Sequence, residues 1–117
     1  MRPRDPLIAL EDVLEAGTTI AQFLRGRSLA DYENDRMVRS AVERQFGIVG
    51  EALNRALRAD PDLIGLIPEA PEVVGFRNVL AHGYEEIVDR LVFNAAQETL
   101  PGLLERVRTI LNESDPR

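Results

Sequence analysis

The chain has 117 residues, of which 44% are apolar and 29% charged, and these proportions are typical of one globular domain. It contains no cysteine and a single histidine, which excludes disulfide scaffolds, thiolate nucleophiles and zinc sites built on sulfur or on several histidines. Fourteen positive and twenty negative side chains leave a net charge of −6, so a nucleic-acid ligand would need a local basic cleft.

Residues 1–117 are therefore expected to form one helical domain. Apolar residues spaced three and four apart predict a first helix over residues 6–24, ended by Gly26. The segment that begins at Ser28 has turn and capping chemistry, which predicts a single helical turn. A second long helix is predicted over residues 35–59 and is stopped by Pro61.

The C-terminal half has two further helical segments. A proline-bounded loop, residues 60–72, leads to a third helix that Pro71 starts and that ends around His82 or Gly83. A fourth helix spans residues 88–111. Pro101 interrupts this fourth helix, so we expect a kink or two helices meeting near Thr99. The tail from about residue 112 is expected to fray.

No segment alternates with period two, and no apolar run approaches the roughly 20 residues that a membrane span requires. The N-terminal segment also lacks the apolar stretch of a signal peptide. The pattern predicts an all-α, up-and-down bundle of four or five helices, located in the cytoplasm and without a membrane anchor.

The second long helix carries two glycines, Gly47 and Gly50, on its polar side together with Glu51. Glycine inside a helix costs about 0.5 to 1 kcal/mol relative to alanine, so two on one stripe suggest that a backbone or ligand approaches closely there. Glycines tolerated in a well-packed helix are the alternative interpretation.

Arg77, His82 and Tyr84 form the most reactive cluster in the sequence. Histidine can exchange a proton near neutral pH, and a permanently charged guanidinium can stabilise a negatively charged oxygen. In a regular helix, five residues separate Arg77 and His82 by about 140°, so we expect the helix to unwind at Gly83 if the two are to converge. By spacing alone, a purely structural role suits the same residues: a capping histidine, a paired arginine and a buried tyrosine ring.

The motif R-x4-H-x-Y, formed by Arg77, His82 and Tyr84, resembles that of HepT-type toxins in the HEPN superfamily. The likeness extends through "GEA" at residues 50–52, "GFRN" at residues 75–78 and "TLPGLLERV" at residues 99–107. It covers nearly the whole chain. The resemblance implies an HEPN-like fold and a homodimer whose two subunits build one cleft.

The same resemblance implies a metal-independent endoribonuclease without a cofactor, which acts as the toxin of a toxin-antitoxin system and cleaves RNA by acid-base catalysis. His82 would be the general acid or base, and Arg77 would stabilise charge on the phosphoryl oxygens. Asn78 would orient Arg77 or the phosphate. Glu51 would hold Arg77, although an ordinary exposed glutamate is an equal alternative.

Tyr84 matches the family tyrosine to which an MntA-type nucleotidyltransferase antitoxin attaches AMP, which would silence the toxin by occupancy and charge. The sequence departs from the family pattern just after it, where Glu85 and Glu86 form an acidic pair. A second hypothesis is therefore a non-catalytic dimeric HEPN module that binds a nucleotide or a partner protein.

Overall fold

The computed structural model describes residues 4–83 and 85–114 of the chain. Its α-helices are α1 (Arg4–Leu24), α2 (Leu29–Glu33), α3 (Arg36–Ala59), α4 (Ala70–His82), α5 (Glu85–Asn94) and α6 (Leu100–Ser114). A 3₁₀ helix, Pro61–Gly65, precedes α4, and a π-helical turn, Ala95–Thr99, joins α5 to α6. No β-strand occurs in this described part of the chain, and the all-α prediction is confirmed.

Local capping chemistry sets the ends of the first three helices. Gly26 adopts a φ of 75°, in the left-handed region that glycine enters at little cost, so α1 ends at Leu24 as predicted. Ser28 Oγ accepts from Asp31 N–H at 3.1 Å, and Asp31 Oδ2 accepts from Ser28 N–H at 2.9 Å, forming a capping box for α2. These hydrogen bonds lower the pKa of Asp31. At the start of α3, Asp35 Oδ1 accepts from Val38 N–H at 3.1 Å.

The connection between α3 and α4 is more ordered than the predicted loop. Pro61–Gly65 forms a 3₁₀ helix, and Asp60 Oδ1 accepts from Asp62 N–H at 3.3 Å at its start. Leu63 and Ile67 are fully buried. Both side chains belong to the buried core cluster, so the segment is anchored to the core.

Pro101 causes the predicted break in the last helical segment. The N–H of Leu100 donates to the carbonyl of Ala95, five residues back, which is the hydrogen bond of a π turn. Because proline has no N–H, the regular α-helical ladder cannot continue through residue 101. Helix α6 then extends to Ser114, past the predicted start of fraying, and residues 115–117 of the predicted tail lie outside the described residues.

The core lies between α1, α3, α4 and α6. Helix α1 packs against α3 and α6, while α3 packs against α4. Gly17 allows the close approach of α6, because a Cβ atom there would overlap the side chain of Leu104. The largest fully buried side chains are Tyr32, Phe46, Leu10, Ile20, Leu53, Leu63, Ile67, Leu100 and Leu103. Within the described ranges, no helix combines the length and apolar character of a membrane span.

Candidate active site

Helix α4 positions three of the predicted site residues. Val73 and Phe76 are buried against α3, and the rings of Phe76 and Phe46 have centroids 5.6 Å apart. This burial sets the rotation of α4 about its axis. Arg77, Asn78 and His82 are all exposed to solvent as a result.

The aliphatic part of Arg77 packs over Gly50 of α3. A Cβ atom built on Gly50 would lie 3.2 Å from Arg77 Cγ, 3.5 Å from Arg77 Cδ and 3.5 Å from the carbonyl oxygen of Val73. The predicted close approach on this glycine stripe is therefore present at Gly50. It is not present within the subunit at Gly47, where a Cβ atom would meet no heavy atom within 4 Å.

Arg77 is available to bind an anion. Arg77 is exposed, and it forms no ion pair with a side chain that the structure describes. The same described residues contain no group of three or more carboxylate or imidazole side chains that could hold a metal ion. A guanidinium with free N–H donors suits phosphate or carboxylate, which it binds through two parallel hydrogen bonds.

His82 is the last residue of α4, and Gly83 caps that helix. The N–H of Gly83 donates to the carbonyl of Val79 at 2.8 Å. The backbone of Gly83, with φ −80° and ψ 157°, is one that any residue adopts. Glycine is required there for space, because a Cβ atom would lie 2.5 Å from Val88 Cγ2 and 2.8 Å from Val79 O.

The helix remains regular through His82, so the unwinding expected to bring Arg77 and His82 together does not occur before His82. Five residues of α-helix separate two side chains by about 140° around the axis and about 7.5 Å along it. Both groups are exposed, but they leave the helix on different sides. Close cooperation between them within one subunit is not favoured by this helix.

One groove of the described surface lies away from the motif. It has a volume of about 450 Å³ and runs along α6, beside an ion pair in which Arg106 Nε lies 2.9 Å from Glu69 Oε1. Its lining residues are Leu66, Gly102, Glu105, Arg106, Thr109, Ile110 and Glu113. None of them belongs to the motif.

Comparison with known proteins identifies the family. The family model described as Ribonuclease HepT-like matches residues 13–110, which is most of the chain. The chain belongs to the HepT-like ribonuclease family. Arg77 and His82, both exposed on α4, lie within the matched residues.

Two curated relatives of this HepT-like chain carry ribonuclease names. "Putative RNase MJ1380" of Methanocaldococcus jannaschii is 30% identical over 112 residues, which cover 94% of this chain and 100% of the relative. "Putative RNase TTE0752" of Caldanaerobacter subterraneus is 24% identical over 110 residues, covering 94% of this chain and 97% of the relative. No solved structure matches the chain significantly.

The other predicted site residues of the HepT-like chain are Asn78, Glu51 and Tyr84. Asn78 follows Arg77 on α4 and is exposed, and its orienting role stays a prediction. Glu51 is exposed, and no ion pair or hydrogen bond joins it to Arg77. Its neighbour Gly50 packs against the stem of Arg77. Tyr84, the predicted modification site, lies outside the described residues.

The sequence analysis missed a buried polar cluster around Asp89 of α5. Asp89 is 6% exposed, and its Oδ2 lies 3.6 Å from Arg39 Nε of α3. A signal for it was available. On a helix Asp89 shares a face with Val92 and Phe93, and a carboxylate on an apolar face indicates a buried partner. Nothing in the sequence pattern points to Arg39 as that partner.

Proposed function

We propose that this HepT-like chain is a metal-independent endoribonuclease. The observation that supports it most strongly is the exposed side chain of Arg77, which packs its stem on Gly50 and has no ion pair with any carboxylate side chain that the structure describes. It is available to stabilise negative charge on the phosphoryl oxygens of RNA. His82, exposed on the same helix, supplies the proton-transferring group.

The proposed active form is a homodimer. In RNA cleavage one group takes the proton of the 2′-hydroxyl, whose oxygen attacks phosphorus, and a second group protonates the departing 5′-oxygen. A chain with one histidine supplies one imidazole, and two copies supply two. The separation of Arg77 and His82 around α4 supports a cleft to which both subunits contribute. Asn78 would orient Arg77 or the phosphate at its rim.

Cleavage of total RNA in the presence of EDTA tests this proposal. We expect the purified wild type, confirmed as unmodified by mass, to cut RNA and the Arg77→Ala and His82→Ala variants to lose the activity. Arg108→Ala, which removes an exposed arginine of α6, is the matched control and should cut normally. Intact RNA with the wild type, or equal cleavage by wild type and Arg77→Ala, would contradict the proposal.

We further propose that the chain is the toxin of a cytoplasmic toxin-antitoxin pair, silenced by AMPylation of Tyr84. This rests on the motif, in which Tyr84 follows His82 by two residues. An MntA-type nucleotidyltransferase would transfer AMP from ATP to the phenolic oxygen and release pyrophosphate. The added phosphate would bring negative charge to the segment that carries the proton-transferring group, and so oppose RNA binding.

Co-expression with a neighbouring nucleotidyltransferase tests the silencing. We expect the toxin to gain the mass of one or more AMP groups on Tyr84 and to lose RNA cleavage. Tyr84→Phe should gain no mass and should keep cutting RNA in the same cells. Failure of Tyr84 to accept AMP would remove this part of the proposal and leave the ribonuclease part standing.

A second candidate function is supported by the charge of the chain. A net charge of −6, with Glu85 and Glu86 next to the motif, weakens attraction to a phosphate backbone. A non-catalytic dimeric HEPN module that binds a nucleotide or partner protein fits that charge. It predicts that a labelled RNA or nucleotide is bound and recovered uncut, with binding lost in Arg77→Ala.

A further inference from the structure

A single arginine joins three helices of the bundle. Arg39 of α3 has its Nε 3.6 Å from Oδ2 of Asp89 in α5. Its Nη1 also donates to the carbonyl of Glu33, at the end of α2. The side chains of Arg39 and Asp89 are only 15% and 8% exposed, so the pair is largely removed from water.

The surroundings of this pair contain a buried aromatic residue. Tyr32 of α2 is fully buried, and its ring lies 5.9 Å from that of Phe93 in α5. Burial raises the pKa of Tyr32, the nearby charges of Glu43 and Asp89 raise it further, and Arg39 lowers it. Four ionisable side chains thus interact where α2, α3 and α5 meet.

Asp89 directly follows the residue of α5 that contacts the end of α4. Val88 contacts Gly83, since a Cβ atom at Gly83 would lie 2.5 Å from Val88 Cγ2. Asp89 is the following residue of α5. Helix α5 packs mainly on α2 and the π turn, whereas α4 packs on α3. The contact between Arg39 and Asp89 therefore connects the helix after the motif to the helix that supports the motif arginine.

A buried ion pair contributes little to net stability, because the cost of removing two charges from water offsets their attraction. It does impose geometry, because the guanidinium satisfies a carboxylate and a carbonyl only in one arrangement of the three helices. A geometric role therefore accounts better for this pair than a gain in stability.

We propose that Arg39 and Asp89 are positioning residues for the motif. They hold α5 against α2 and α3, so that the contact between Val88 and Gly83 keeps the end of α4 in the geometry that cleavage requires. The inference rests on the proposed ribonuclease function, and it adds residues outside the motif that act through α5 and not on the RNA.

The test compares this pair with a matched ion pair elsewhere. Asp89→Asn keeps the size of the side chain and removes its charge, and Arg39→Lys keeps the charge and removes the planar guanidinium. The control variants are Asp12→Asn and Arg55→Lys, from an exposed pair that joins α1 and α3 with Nη2 and Oδ2 2.8 Å apart. Two quantities are measured: kcat and KM on an oligoribonucleotide, and amide hydrogen exchange of each helix.

We expect Asp89→Asn to lower kcat about tenfold to a hundredfold with little change in KM, because a small misplacement of catalytic groups has effects of that size. The kcat of Arg39→Lys should lie between the kcat of Asp89→Asn and that of the wild type. In both variants the amides of α5 should exchange faster, while those of α1 and α6 remain as in the wild type. The two control variants should match the wild type in both measurements.

Three results would overturn the proposal. Unchanged exchange in α5 would show that the pair does not hold that helix, and faster exchange with unchanged kcat would show that its position does not matter for cleavage. Global unfolding of Asp89→Asn, seen by circular dichroism, would make the pair a requirement of the whole fold. If the wild type cuts no RNA, the ribonuclease proposal fails, and the exchange of α5 still decides whether the pair holds the helix.

Discussion

Arg77 of α4 packs its aliphatic stem on Gly50 of α3, with Arg77 Cγ 3.2 Å from where a Cβ atom of residue 50 would lie. The position of the proposed phosphate-binding group thus depends on the absence of a side chain on a different helix. This contact gives a physical reason for a glycine in the "GEA" segment. It also explains why α3 has a glycine at this position, although glycine in a helix interior is less stable than alanine by about 0.5 to 1 kcal/mol.

Gly50→Ala is expected to impair cleavage while leaving stability nearly unchanged. The added methyl group pushes the stem of Arg77 aside, and because misplacement by about 1 Å can cost about a hundredfold in rate, we expect a loss of roughly tenfold in kcat/KM. The gain in helix propensity of about 0.5 to 1 kcal/mol offsets the tighter packing. Cleavage assays and urea unfolding measure the two effects.

Gly47→Ala, one turn earlier on α3, is the matched control. A Cβ atom at residue 47 meets nothing within 4 Å inside the subunit, so the free energy of unfolding should rise by about 0.5 to 1 kcal/mol and cleavage should be unaffected. An equal loss of cleavage in both variants would show that alanine acts on α3 itself or on a subunit contact, and not through Arg77.

Mixed dimers test whether two subunits share one cleft. A mixed dimer of one wild-type chain and one His82→Ala chain contains a single imidazole. Because the proposed cleavage uses the imidazoles of both subunits, we expect this mixed dimer to lose most of its activity. Retention of a large part of the wild-type rate, with subunit exchange verified by tagged chains, would mean that each subunit cleaves with its own histidine.

Gly83→Ala is expected to destabilise the junction between α4 and α5. Its Cβ atom would lie 2.5 Å from Val88 Cγ2 and 2.8 Å from Val79 O, and such overpacking typically costs about 1 to 3 kcal/mol. Gly75→Ala, on an exposed position of α4 where a Cβ atom meets nothing within 4 Å, should instead be neutral or stabilising. Urea unfolding compares the two, and equal effects would contradict the steric argument.

Tyr32→Phe should leave the protein as stable or up to about 1 kcal/mol more stable at neutral pH. The hydroxyl of Tyr32 is buried without a hydrogen-bond partner among the described residues, and an unsatisfied buried donor is unfavourable by about 1 to 3 kcal/mol. Thermal unfolding followed by circular dichroism measures the change. A marked loss of stability would show that the hydroxyl has a partner that holds it.

The same residue predicts how stability falls at alkaline pH. Burial raises the pKa of Tyr32 above its ordinary value of about 10, so the folded state holds the phenolic proton more tightly than the unfolded state. This contribution is fully present below a pH of about 10 and is lost as the pH rises from there toward the raised pKa. Tyr32→Phe should therefore unfold at a higher pH than the wild type, and an unchanged midpoint would contradict the argument.

The helices themselves follow from local rules that a sequence displays. Gly26 ends α1, Asp35 caps α3, Pro71 lies in the first turn of α4, and Pro101 breaks the last segment near the predicted Thr99. Each of these effects depends on neighbours within one or two turns, which is why the all-α fold could be predicted. The R-x4-H-x-Y spacing is also visible in the sequence alone, and it indicated the family.

Only the tertiary structure decided which residues of different helices contact one another. The packing of Arg77 on Gly50, the pairing of Arg39 with Asp89 and the burial of Leu63 and Ile67 join residues from different helices or connections. Apolar periodicity tells which face of a helix is buried and does not tell which helix covers it. How helices rotate and pack against one another is determined by the complete core, and so the surroundings of the motif became visible only in the folded chain.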